Sequence, residues 1–176
     1  IATGELTQFA EDAVKMGVAF DTTAEEAGQS MAEMRTAFRL SQNEVVTLAD
    51  KINYLGNNTP AAAKSIMQIV QRIGPLGEVG GYASGSIAAL GATLKGMGVQ
   101  EEIAATGIKN MMLALVSGEA ATKSQKAVWK SLGLDYVQVA KDMQVNAEET
   151  TMKVLQSISK MDKYEQASIL KQLFGS

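Results

Sequence analysis

Ser41-Gln42-Asn43-Glu44-Val45-Val46-Thr47-Leu48-Ala49-Asp50-Lys51-Ile52-Asn53-Tyr54-Leu55-Gly56 contains a start, a face and a stop. The Ser41 hydroxyl can accept from a free amide of the first helical turn, and Glu44, three residues on, can reach back to the Ser41 amide. Val45, Leu48, Ile52 and Leu55 then recur at helical intervals and would bury one face. Gly56 comes next, where a residue free to adopt positive φ can close the helix. The stretch therefore reads as one short amphipathic helix.

The same chemistry repeats outward in both directions. Thr22 with Glu25, Asp135 with Gln138, Asn146 with Glu149 and Asp162 with Glu165 share the spacing of Ser41 with Glu44, and Thr59 before Pro60 is a further start. Apolar stripes accompany these starts: Ala27, Met31, Met34 and Phe38; Ala63, Ile66, Met67, Val70 and Ile73; Ile87, Leu90, Leu94 and Met97. Ile103, Ile108, Met111, Met112 and Leu115 form another, then Ala127, Val128 and Leu132, then Met152, Leu155 and Ile158, and finally Leu170 and Leu173. Gly74 before Pro75, Gly118 and Gly133 are the other stops. No sustained period-two alternation marks a strand. The expectation is an all-α chain of about eight to ten helices, roughly 10 to 17 residues each, packed as hairpins or an irregular bundle with no sheet.

Composition excludes much chemistry. The 176 residues include no Cys and no His, which removes His-based and thiol-based nucleophiles, thiolate zinc sites, disulfides and an axial His for haem. Sixteen Lys and Arg against 19 Asp and Glu give a net charge of -3, which argues against specific nucleic-acid binding. Residues 1 to 60 hold nine acids and four bases, the remainder ten acids and twelve bases, a distribution that reads as solvated helix faces. The first residues lack the basic start and apolar run of a signal peptide, and an opening Ile1 suggests a stretch of something longer.

Eight of the sixteen glycines lie between Gly74 and Gly98. Neither phosphate-binding glycine motif is present there, so residues 74–83 read as a mobile loop rather than a phosphate cradle. Gly91 and Gly107 would let helices approach closely. Residues 83–99 carry one charge, Lys95, and many small side chains; a buried hairpin of small-residue helices explains them better than a membrane span, with membrane contact kept as a secondary expectation. The ten methionines read mostly as core filling, with Met97, between two glycines, the one expected at the surface. Ser65-Ile66-Met67-Gln68-Ile69 resembles a box of lytic transglycosylases, which would make Glu44 a general acid. Glu44 is followed by Val45, however, and is already engaged as a capping residue that should stay ionised.

Glu11 to Phe38, Leu48 to Pro60, Ala88 to Val99, Ala104 to Leu115, Leu132 to Asp135 and Leu170 to Gly175 follow one another in a set order. That order of segments resembles the core region of phage tail tape measure proteins of the TP901 type. It implies a structural phage or prophage tail protein, with 1–73 as an N-terminal helical part of the core, 74–83 as a Gly-rich loop and 84–176 as a C-terminal part. It further implies a place in the virion tail tube lumen, reached through the host cytoplasm during assembly, and a share in setting tail length. The implied partners are the tail tube protein, tail assembly chaperones and tail tip proteins, with self-association and membrane contact on infection as further expectations. It implies no enzyme activity, and no catalytic, cofactor-binding or metal-ligating residue, nucleic acid or small-molecule substrate is assigned. A helical partner-binding adaptor of a bacterial protein and, more remotely, a peptidoglycan lytic transglycosylase are the alternatives.

Overall fold

A computed structural model describes residues 3–175 of the chain. Among the described residues there are eleven α-helices and no strand: α1 Thr3–Ala19, α2 Ala24–Ala37, α3 Gln42–Asn58, α4 Ala63–Ile73, α5 Leu76–Val79, α6 Ser84–Gly96, α7 Glu101–Leu115, α8 Lys123–Ser131, α9 Tyr136–Val145, α10 Ala147–Ser159 and α11 Lys163–Phe174. A 3-10 turn at Gly118–Ala120 separates α7 from α8. The all-α expectation holds. The count exceeds it because α5, a single turn, lies inside the stretch expected to be loop.

Side-chain caps set the starts of α2, α3, α8, α9 and α10. The Ser41 side chain accepts from the Glu44 amide, and the Ser41 amide donates to Glu44 Oε2 at 2.8 Å, which completes the box on α3. Asp135 accepts from the Gln138 amide at 2.7 Å, and Asn146 from the Glu149 amide at 3.1 Å. A further box, at Thr122 and Gln125, opens α8 with an amide rather than a carboxylate as the reciprocal group. Two starts are corrected. Thr23, not Thr22, caps α2; the Thr22 hydroxyl instead donates to Glu26. Pro60 is not the first helical residue, since Ala62 precedes α4, and the Thr59 hydroxyl closes α3 by donating to the Leu55 carbonyl at 2.8 Å. Asp162 precedes α11 without a side-chain cap bond.

Gly74 and Gly133 have positive φ, 49° and 69°, and lie at helix ends as expected. Gly56 does not stop its helix. It sits within α3, and a Cβ there would lie 2.8 Å from the Cβ of Ala63, so the glycine makes room for the start of α4.

The described residues form two compact units. The first runs to Pro75 and adds Ala83–Thr106; the second is Leu76–Tyr82 with the chain from Gly107 onward. This differs from a division at a 74–83 loop, because α6 packs against α3 and α4, and residues 76–82 pack with the chain beyond Gly107. In the first unit α1 pairs with α2, while Met31, Met34, Leu48, Ile52, Ile66 and Ile69 are fully enclosed. In the second, α8 packs on α11 and α9 on α10, with Met112, Leu115, Trp129 and Met143 inside. Burying each such side chain contributes about 1.5–3 kcal/mol.

Several faces are rotated from the expected stripes. α6 buries Ile87, Ala88, Gly91 and Ala92, and leaves Met97 at its end 75% exposed. α7 buries Ala104 and Ala105 but exposes Ile103; α10 buries Thr150, Thr151 and Val154 but exposes Met152; α11 buries Ile169 rather than Leu170. In α6, α7 and α10 small or hydroxyl residues occupy positions that permit close helix packing; Ile103 of α7 and Met152 of α10 are turned outward, and Leu90 and Leu94 of α6 are half-buried.

Candidate functional site

The polar groups that hold the first unit together converge on the start of α7. Glu101 accepts from Lys95 Nζ at 2.9 Å and from Ser65 Oγ at 2.7 Å, joining the end of α6 and the first turn of α4 to one carboxylate. The Lys95 bond first, then the Ser65 bond and the helix-terminal amide of Glu101 itself, hold its pKa down to about 2. One residue on, Glu102 takes Arg72 of α4 at 3.0 Å. Gln71 donates to Glu33 of α2 at 2.6 Å, and Lys64 lies 3.7 Å from Glu26 of the same helix. α4 is thus clipped on two sides by charged or amide groups.

A second network is more enclosed. Asp12 of α1 is buried and accepts from Gln8 Nε2 at 2.9 Å and from Gln42 Nε2 at 2.7 Å, while Gln42 in turn accepts from Arg35 at 3.1 Å. The first turn of α3 is thereby tied to α1 and α2. Beside it a cleft of about 190 Å³ is lined by Asp12, Lys15, Phe20, Met31, Asp50 and Asn53. A shallower groove between α3 and α6, bordered by Lys51, Tyr54, Leu55, Gly85 and Ala89, is almost wholly apolar.

In the second unit the stretch expected as a mobile loop is a packed strap. Gly77 and Gly80 are buried, and a Cβ on Gly80 would lie 3.1 Å from Met112. Gly81 has φ +76°, and a Cβ there would collide with the Met143 carbonyl oxygen. Only glycine fits on both counts. Tyr82 is buried, its hydroxyl is hydrogen-bonded to that of Thr151, and Thr151 also contacts Met143 Sδ at 3.7 Å. Burial pushes the Tyr82 phenol up, against the hydrogen bond. Gln144 donates to the Val79 carbonyl at 3.3 Å and closes the strap from outside. The glycines of this strap serve close contact rather than a phosphate cradle.

Elsewhere in this unit, Gln125 donates to the Leu173 carbonyl at 3.1 Å and Ser124 to Gln172 at 2.8 Å, fastening α8 to α11. Lys126 bonds Glu119 at 3.2 Å and stands 5.0 Å from the Tyr136 ring centre. Trp129 is buried with its indole N–H unpaired.

The general acid required by a transglycosylase is not formed at Glu44. Its carboxylate is exposed, and the Ser41 hydroxyl and then the Ser41 amide hold its pKa below the usual carboxylate value. A general acid needs the opposite shift. Among the described residues no group of three or more acids could hold a metal ion, and no helix is long and apolar enough to cross a membrane. Gly91 does serve close approach, since a Cβ there would lie 3.0 Å from Ile69; Gly107 faces open space and does not. Six of the ten methionines are buried, which agrees with core filling.

Neither the Glu101 clip nor the Asp12 network is marked locally in the sequence. Ser65 lies 36 residues from Glu101, and Gln42 lies 30 from Asp12. The signal the sequence does carry is a polar residue on an otherwise buried face: Asp12 beside Ala13 and Met16.

The geometry shows polar groups clipping helices together, and comparison with known proteins gives the chain its family. A protein of Halomonas phage phiHAP-1 named "Probable tape measure protein" is 36% identical over 169 residues, covering 96% of this chain. The chain spans 20% of that relative's length. No solved structure matches. The model of the family of phage-related minor tail proteins matches residues 1–175, from the first helix through the last, and the chain belongs to that family.

Proposed function

We propose that this chain acts as a section of a tape measure protein: a non-catalytic helical element that lies within the tail tube and contributes to its length. The supporting observation is the similarity to the phiHAP-1 protein across nearly the whole chain, joined to a structure in which charged groups act as helix clips. The tube protein, assembly chaperones and tip proteins are the partners this reading calls for, with passage through the host cytoplasm before assembly. The exposed, ionised Glu44 speaks against the transglycosylase alternative, and nothing favours a bacterial adaptor.

Short helices joined by one- to seven-residue breaks can open into a line without unfolding each helix. Drawn out as helix, 176 residues span roughly 260 Å at 1.5 Å per residue. Duplicating the segment in frame within its phage gene should therefore lengthen tails, by up to that amount, in electron micrographs. Tails of unchanged length would overturn the reading.

A further inference from the structure

Helix α7 is divided between the two compact units: residues 101–106 belong to the first and residues 107–115 to the second. Each half is held in its own unit. At the start, Glu101 takes Lys95 at 2.9 Å and Ser65 at 2.7 Å, and Glu102 takes Arg72 at 3.0 Å. Toward the end, Met112 and Leu115 are buried, and Met112 lies against Gly80 of the strap, 3.1 Å from where a Cβ would stand there. Between these anchors Thr106 and Gly107 are exposed.

Packing gives no reason for a glycine at position 107. Gly17, Gly56 and Gly91 also lie within helices, and a Cβ on them would come to 3.1, 2.8 and 3.0 Å from a neighbouring atom, whereas one on Gly107 would meet nothing within 4 Å. Backbone geometry gives none either, because Gly107 is not among the glycines with positive φ. The remaining consequence of the missing Cβ is freedom of the open state. A helix interior opens about fivefold more readily at Gly than at Ala.

We infer that Gly107 is a hinge, at which α7 opens and closes while its two halves stay packed. The hydrogen bonds that cross Gly107 are few. Each helical amide donates to the carbonyl four residues back, so only the amides of Ile108, Lys109, Asn110 and Met111 reach across it. Water can take up bonds released beside the exposed Thr106 and Gly107. Position decides the rest of the case: a bend nearer either end of α7 would pull residues out of the unit that holds them, but a bend at 107 falls where one unit gives way to the next. The hinge is a property of the folded chain and holds whether or not the chain works in a tail.

Amide hydrogen exchange of the intact chain, followed residue by residue by NMR and corrected for intrinsic rates, tests this. The amides of residues 108–111 should exchange at least about tenfold faster than those of Ala105 and Thr106 on one side and of residues 112–115 on the other. Gly107→Ala should slow those four amides about fivefold and leave both flanks within about twofold of their original rates. Even protection along α7 would overturn the inference. So would protection that climbs steadily from the first turn, which marks a helix fraying from its end, or a Gly107→Ala chain whose four amides exchange as fast as before.

Discussion

The two compact units are fastened by different chemistry. In the first, the links between helices are largely charged: Lys95 and Ser65 on Glu101, Arg72 on Glu102, and the Asp12 carboxylate between two amides. In the second they are largely neutral and steric: the Tyr82–Thr151 hydroxyl pair, amide-to-carbonyl bonds from Gln144 and Gln125, and a strap in which Gly81 has no room for a side chain. The charged links depend on pH and salt, whereas the glycine strap does not. A chain built this way can respond to solution conditions in one part while another keeps its packing.

The greatest loss among these links should come from Gly81→Ala. The added Cβ meets both a positive φ and the Met143 carbonyl, and backbone cannot yield as a flexible side chain can. A loss of more than about 3 kcal/mol is expected in chemical denaturation of this variant. Gly107→Ala, in a helix and facing open space, should be neutral or stabilising by up to about 1 kcal/mol under the same measurement.

Thr151→Val tests the neutral link. It leaves the buried Tyr82 hydroxyl without its partner and should cost about 1–3 kcal/mol. Adding Tyr82→Phe to it should recover part of that loss, because a pair removed together leaves nothing unsatisfied.

Glu101→Gln tests the charged one. A carboxylate held near pKa 2 in the folded state, against an ordinary 4.5, stabilises fully above pH 4.5 and loses that contribution as pH falls toward 2. The substitution should cost about 1 kcal/mol at pH 7, discounted for partial exposure, and almost nothing at pH 2, read from thermal melting at both. The smallest effect is expected at Trp129. Its indole N–H is buried without a partner, so in Trp129→Phe relief from desolvation should offset lost contact and leave stability within about 1 kcal/mol of the original.

The features legible in the sequence are those that depend on neighbours along the chain. The boxes and caps at Ser41, Asp135 and Asn146 are satisfied within three residues, and all three form. Gly56 misleads because a glycine that ends a helix and one that admits a neighbouring helix look alike until the neighbour, Ala63, is placed. The rotated faces of α6 and α10 have the same origin. Hydropathy favours Leu90 and Met152, but close packing selects Ala88, Gly91, Thr150 and Thr151, whose partners lie far along the chain. The partner of Thr151 is Tyr82, 69 positions away, and no neighbour along the chain marks the pair.

Whether this chain forms part of the interior of a phage tail can be tested on purified tails. Intact and opened tails would be treated with protease and the released peptides identified by mass spectrometry. Peptides from residues 1–175 should appear only after the tails are opened. Their release from intact tails, or their absence from tails altogether, would contradict an interior position.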